Sequence, residues 1–281
     1  MTPLKPILFL CALSMLNCSN DTSDNNDDPD SSISDYTPNA IVNYWIYDVE
    51  SSSVDALELN FKATDSLYIA TSTLNSYTLE ANNGTEATGT MNTILINGVL
   101  SKTSTTLEYT GTLELPIDIP IDQIQEINAL KILDLEAEND EILSEISGNF
   151  SENIDFLGTM APIEVSYSLT TKKENHYPNL LVNNTMYENV YEGILNLNLS
   201  IVGTITILGF SQSIQVIKAQ DILTIRYYYG ENIGLLRAES TQGYELSAEL
   251  ISLIELSGDT FDMGTSTSVE SAEALSTYVL N

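Results

Sequence analysis

From about residue 39 onward, apolar and polar positions alternate along the chain, and Gly, Asn, Asp or Pro interrupts the alternation at intervals of roughly 10 to 15 residues. A period of two is the signature of a strand that buries one face, because successive side chains leave opposite sides of the backbone. Segments 41–50 ("IVNYWIYDVE"), 65–73 ("DSLYIATST"), 141–154 and 162–172 read this way. Residues 89–101 ("GTMNTILINGVLS") and 104–115 ("STTLEYTGTLEL") read as the two arms of a hairpin. The last third is denser, with strands expected over 187–202, 203–220, 221–230, 232–241 and 243–256. Short connections of this kind join antiparallel neighbours, whereas parallel pairs need long crossovers.

Two stretches break the pattern. Ile121, Ile124 and Ile127 recur every third residue behind Pro116 and Pro120, which predicts a short helix over 121–133. A second helical face is expected over 268–280 ("SVESAEALSTYVL"). No Pro/Gly-rich linker divides the body, so residues 39–281 read as a single β-rich domain. The fold class expected is all-β and mainly antiparallel: a large curved meander sheet or half-barrel with at most one or two short helices.

The first 38 residues are of another kind. Lys5 precedes an apolar run over 6–16, too short for the ~20 residues that span a bilayer but of the length of a secretory h-region. Residues 1–17 therefore read as a signal peptide. Cys18 follows at once, and "Met15-Leu16-Asn17-Cys18" resembles a bacterial lipobox, although Met15 and Asn17 depart from the usual Leu and small residue. That resemblance implies a diacylglycerol thioether on Cys18. Residues 19–35 carry six Asp and one apolar residue, Ile33, so 18–38 reads as a lipidated cysteine with an acidic disordered tether. Asp24, Asn26 and Asp28 have the alternate spacing of a calcium loop, but Pro29 stands where its glycine belongs, and no metal is expected.

Charge narrows the partners. The chain has 9 basic and 40 acidic residues, a net of −31. Such a chain has too few cations to displace phosphate counterions, which excludes nucleic acid, and an anionic membrane would repel it. Attachment to a membrane thus falls to the lipid on Cys18. Cys11 and Cys18 are the only cysteines, so the body has no disulfide and no zinc-cysteine site. The one histidine, His176, lies in a polar stretch that reads as a loop, and no nucleophile–histidine or phosphate-loop motif accompanies it. Catalytic carboxylates of the glycosidase kind are conceivable among so many acids, but none is singled out. Trp45 is the sole tryptophan, which disfavours a platform of stacked indoles. Asp65-Ser66-Leu67 resembles a short O-glycosylation sequon.

Tyr227, Tyr228 and Tyr229 must alternate faces, with Tyr228 opposite its neighbours, and Gly230 and Gly234 are expected to supply the positive φ of the turn between two strands. Around them, Asn189, Val190, Tyr228, Tyr229, Ile233, Gly234, Leu235 and Tyr244 make a pattern similar to one in uncharacterised envelope lipoproteins of flavobacteria and related Bacteroidota. The resemblance covers most of 41–256 and specifies a sheet, with no chemistry attached. Taken together, the expectation is a non-enzymatic cell-envelope lipoprotein without cofactor, lipid-anchored to the outer membrane, whose β-sheet body binds an apolar small molecule or an envelope protein. A structural or adhesive surface lipoprotein is the alternative, and a hydrolase using unassigned carboxylates comes third.

Overall fold

The computed structural model describes residues 35–53, 59–114, 123–156, 159–207, 210–257 and 264–281. The leader expected over 1–17, Cys18 and residues 19–34 of the expected tether lie outside the described residues, as does the calcium-like spacing. In chain order the elements are β1 (Tyr44–Ser53), β2 (Phe61–Ser72), β3 (Ser76–Ala81), α1 (Thr90–Ile96), β4 (Gly98–Lys102), β5 (Thr106–Glu114) and β6 (Gln123–Asp134). They continue as β7 (Ile142–Phe156), β8 (Thr159–Val182), β9 (Thr185–Ile207), β10 (Phe210–Gly230), β11 (Gly234–Glu245), α2 (Ala248–Ser257) and β12 (Ser266–Val279).

The described strands form one antiparallel sheet in the order β6-β5-β4-β3-β2-β1-β12-β11-β10-β9-β8-β7. Every neighbour is consecutive in sequence except the pair β1–β12. The sheet curls until its two edges meet: Lys131 N–H of β6 donates to Ser144 Oγ of β7 (2.9 Å), and Thr171 Oγ1 donates to the Lys131 carbonyl (2.6 Å). Side chains and not a ladder make this seam, so the body is a nearly closed barrel.

The apolar half of the alternation supplies its interior. On β1 the inward set is Trp45, Tyr47 and Val49; on β9 it includes Leu195, Leu197, Leu199 and Ile201, all essentially inaccessible. Tyr47, Tyr109, Tyr191 and Tyr227 are fully buried. Tyr227 lies across from Gly193, where a Cβ would come 2.4 Å from the ring, and its hydroxyl donates to the Ile132 carbonyl across the seam (2.7 Å). Tyr227 and Tyr229 meet edge to face at 6.1 Å, while Tyr228 turns outward beside Arg226 and Glu192. A valine at 193 must push the Tyr227 ring off its seat. Gly193→Val is expected to lower stability by about 1–3 kcal/mol, read from chemical denaturation midpoints; an unchanged midpoint would contradict the packing.

One end of the barrel holds the turns β2–β3, β4–β5, β6–β7, β8–β9 and β10–β11, and the other holds α1 and α2. We call these the entry end and the helix end, because the described chain begins at the first. There Asp35 pairs with Lys102 Nζ (2.8 Å), Tyr36 OH donates to the Asn189 carbonyl (2.8 Å), and Asn39 Nδ2 donates to the Thr73 carbonyl (3.0 Å). Residues 35–38, which composition grouped with the tether, thus belong to the body, with Tyr36 buried in its core. The β8–β9 hairpin turns through Asn183 and Asn184, both at positive φ (45° and 64°), the conformation of a type I′ turn. Its tip crosses to β12, where Asn183 Nδ2 donates to the Leu275 carbonyl (3.0 Å).

Both expected helices are strands. In β6 the register pairs Ile124, Ile127 and Leu130 with Leu113, Gly111 and Tyr109 of β5, so three residues oppose two twice in succession. These bulges stretch the strand period from two to three and imitate a helix; Ala129 beside them has φ 51°. In β12 the inward positions are Val269, Ser271, Glu273 and Leu275, and the polar pair hid the alternation. The two helices among the described residues fall on segments read as strands, α1 inside 89–101 and α2 over the end of 243–256. The stretch around His176 is likewise strand and not loop, with His176 of β8 paired to Tyr191 of β9. Pro178 is accommodated because β7 has ended by then and β8 keeps a neighbour on one side only.

Candidate functional site

The helix end is where the sheet's inward face stops being apolar. α1 has only seven residues and Gly89 at its N-cap, which offers no side chain to its free N–H groups. Two carboxylates from distant strands take them instead. Asp65 of β2 accepts from Thr88 N (2.9 Å) and Gly89 N (2.8 Å), and also from Thr88 Oγ1, Asn82 Nδ2 and Asn92 Nδ2. Glu273 of β12 accepts from Met91 N (2.6 Å) and Asn92 N (3.0 Å). Gly89 leaves room for this, since a Cβ there would sit 2.4 Å from the Glu273 carboxyl carbon.

The two acids are driven apart. Burial would raise the Asp65 carboxyl, but the backbone N–H groups of Gly89 and Thr88 and the amides of Asn82 and Asn92 outweigh it and hold Asp65 below the usual carboxylate range. Glu273 is pushed up to about 8, first by burial and then by the Asp65 charge, against the pull of Met91 N–H and Asn92 N–H. Split pairs of this kind serve as acid and base in some enzymes. Here both groups are inaccessible, at 0% and 1% exposure, and both are spent on holding α1.

Beside them lies a cleft of about 210 Å³ between α1 and the helix-end parts of β1, β2, β11 and β12. Thr90, Thr93, Asn97 and Gln242 form its polar side and Phe61, Ile94 and Val269 its apolar side. No charged residue is among its described lining, in a chain with 40 acids. Thr90 Oγ1 is fixed by Gln242 Nε2 (2.6 Å) and Ser240 Oγ (3.0 Å). Ser271 also lines the cleft; it is 9% exposed and its hydroxyl makes no hydrogen bond to the protein. A buried hydroxyl without a partner costs about 1–3 kcal/mol, which a ligand oxygen or N–H would recover. No local pattern announces this site, because its members are common neutral residues scattered from 51 to 271.

A larger, open groove of about 640 Å³ runs on the outer face, floored by Ala272 and Ala274, with Val182 and Asn183 of the hairpin tip at one side. Its charges include Arg237, paired with Glu239, and Lys62, paired with Glu50. Higher on the outer face, Glu192 is buried against Arg226 and accepts from Tyr177 OH (2.8 Å).

The residues singled out in the sequence are placed apart. His176 is exposed at the entry end, its Nε2 3.3 Å from Tyr36 OH, and burial followed by the Lys173 charge lowers its pKa. Trp45 is buried there too, donating from Nε1 to the Ile233 carbonyl (2.7 Å) above Gly234, whose φ of 105° only glycine tolerates well. The sequon residues Asp65 and Leu67 are buried in β2, and Ser66 N–H is taken by Asn82 Oδ1 (2.8 Å). Among the described residues no group of three or more His, Cys, Asp or Glu side chains has the arrangement of a metal site. No described helix is long and apolar enough to cross a membrane. A scan against protein-family models, a search of curated proteins and a search of solved structures each gave no match.

Proposed function

We propose that this chain is a cell-envelope lipoprotein, anchored through Cys18, whose barrel is a non-enzymatic binding body for a small neutral ligand with one apolar face. The observation that carries the binding half is the helix-end cleft: uncharged, one side hydroxyl and amide, the other Phe61, Ile94 and Val269, with the unpartnered Ser271 hydroxyl in its wall. Its volume equals that of about seven waters, so it takes one ring or the end of a chain and not a whole lipid. The lipobox-like Cys18 and the acidic segment 19–34 support the anchoring half.

The test is native mass spectrometry of the protein drawn from the cell-envelope fraction, beside Ser271→Phe, which fills the cleft. A non-covalent adduct on the natural chain that is missing from the variant is the expected result. An adduct retained by the variant would place binding elsewhere. No adduct on either would sink the small-ligand reading.

The outer groove favours a second reading, in which the partner is another envelope protein. Its paired charges and alanine floor suit a protein surface better than a small molecule. Crosslinking from Lys62 would then capture a partner, and replacing Ala272 with Arg would abolish the capture.

A further inference from the structure

We propose that the entry end of the barrel is a lipid-facing rim, which rests on the surface of the bilayer that holds Cys18. The inference builds on the anchoring half of the proposed function and adds the orientation of the body.

The distribution of exposed apolar side chains carries it: of the fourteen large ones among the described residues nine lie at the entry end, against Leu59, Phe61, Val99, Met160 and Leu256 at the helix end. Ile41 (62% exposed), Val42 (60%), Leu74 (88%), Leu181 (54%), Met186 (59%) and Tyr278 (38%) all lie at the entry end. They come from four separate segments: the stretch before β1, the β2–β3 turn, the β8–β9 tip and the end of β12. Contacts join these segments into one rim. Trp45, three residues after Val42, pairs with Tyr278. Asn183 Nδ2 ties the hairpin tip to the Leu275 carbonyl, three residues before Tyr278. Asn39 is bonded to Ser72 Oγ and the Thr73 carbonyl, next to Leu74. Exposed apolar side chains gathered from unrelated loops onto one end mark a contact surface, whereas singly scattered ones need no explanation.

The chain itself selects the occupant. Asp35, where the described body begins, is fixed at this same end by Lys102 and by Asn232 N–H on its carbonyl (2.8 Å). Sixteen residues, 19–34, separate it from Cys18. Fully extended they reach at most ~55 Å, and they join the body at this end. A short link raises the effective concentration of rim and membrane to the order of millimolar, so even a weak apolar contact is populated. The net charge restricts the partner to a surface without strong negative potential, a zwitterionic phospholipid face.

Trp45, the only tryptophan, stands at this end and reports on it. The experiment uses the full chain acylated at Cys18 in phosphatidylcholine vesicles, with and without lipid spin-labelled near the headgroup. Spin label is expected to quench Trp45 emission. Ile41→Ser, Val42→Ser and Leu74→Ser together are expected to lose most of that quenching, while Leu256→Ser at the helix end, where Leu256 is 85% exposed, keeps it. Circular dichroism confirms that the triple variant is folded. Vesicle flotation and intact mass read the anchor separately. A chain that floats with its acyl mass but is not quenched overturns the rim and leaves the anchor standing. A chain without acyl mass overturns both. Dimers in sedimentation that the serine variant dissolves would give the rim to a second copy of the chain.

Discussion

Replacing Glu273 with Gln is expected to flatten the pH dependence of stability between about pH 4.5 and 8. The Glu273 carboxyl titrates at an ordinary 4.5 when unfolded and at about 8 in the barrel. Between those values the folded state holds a proton that the unfolded state has released, so stability falls as pH rises. The stabilisation from that proton is about 1.4 kcal/mol per unit of displacement, or several kcal/mol over the whole window; it is fully present below 4.5 and gone above 8. The variant cannot titrate. It does leave one of the Met91 and Asn92 N–H groups facing an amide nitrogen, which costs about 1–3 kcal/mol at every pH. Urea denaturation should therefore find the variant weaker than the natural chain at pH 5 and equal or stronger at pH 8.5. Parallel curves for the two chains would show that Glu273 is not the titrating group. Comparing the two removes His176, whose lowered pKa acts oppositely, with stability lost as pH falls through the histidine range, and equally in both chains.

The second large effect is expected at Asp65. It satisfies two backbone N–H groups, one hydroxyl and two amides in a place without solvent access. Asp65→Ala strands those donors together and removes the outer half of the cap on α1. A loss of about 3–5 kcal/mol follows, with Asp65→Asn losing less because its oxygen still accepts. The Glu273 carboxyl, relieved of a neighbouring charge, should then titrate lower than about 8, which a pH series on Asp65→Asn would detect. Full stability in Asp65→Ala would mean that α1 is held by its apolar face alone.

Most of the sheet could be read from the chain because its inward face is apolar in period two. The reading failed where another residue type faces inward. Ser271 and Glu273 point into the barrel and made β12 look like a helix. The β6 bulges at Ile127 and Leu130 did the same by adding a residue per step. In α1 the failure ran the other way: "TMNTILI" has strand-like Thr and Ile, and it is helical because Asp65 and Glu273, 25 residues before and 183 after Thr90, bond its first turn. No local pattern encodes that. The cleft was invisible for the same reason, being made of neutral side chains that tertiary structure alone assembles. The antiparallel all-β class, the facing of Tyr228 opposite to Tyr227 and Tyr229 and the turn at Gly234 were legible, each resting on a local rule of backbone or strand geometry.

The strand order has one further consequence, for the time at which the barrel becomes whole. Strands β2 to β6 and β8 to β12 each pair with their predecessor as they emerge, β7 starts the second run at the seam, and β1 takes as its second neighbour β12, 213 residues further on. Until β12 arrives, β1 and β11 both present an open edge, and α1 lacks the carboxylate that holds Met91 and Asn92. Pairings so distant in sequence form slowly, and open edges are where nascent β proteins stick to one another. The last fourteen-residue strand therefore acts as a keystone, and a chain waiting for it is the state a chaperone would need to guard.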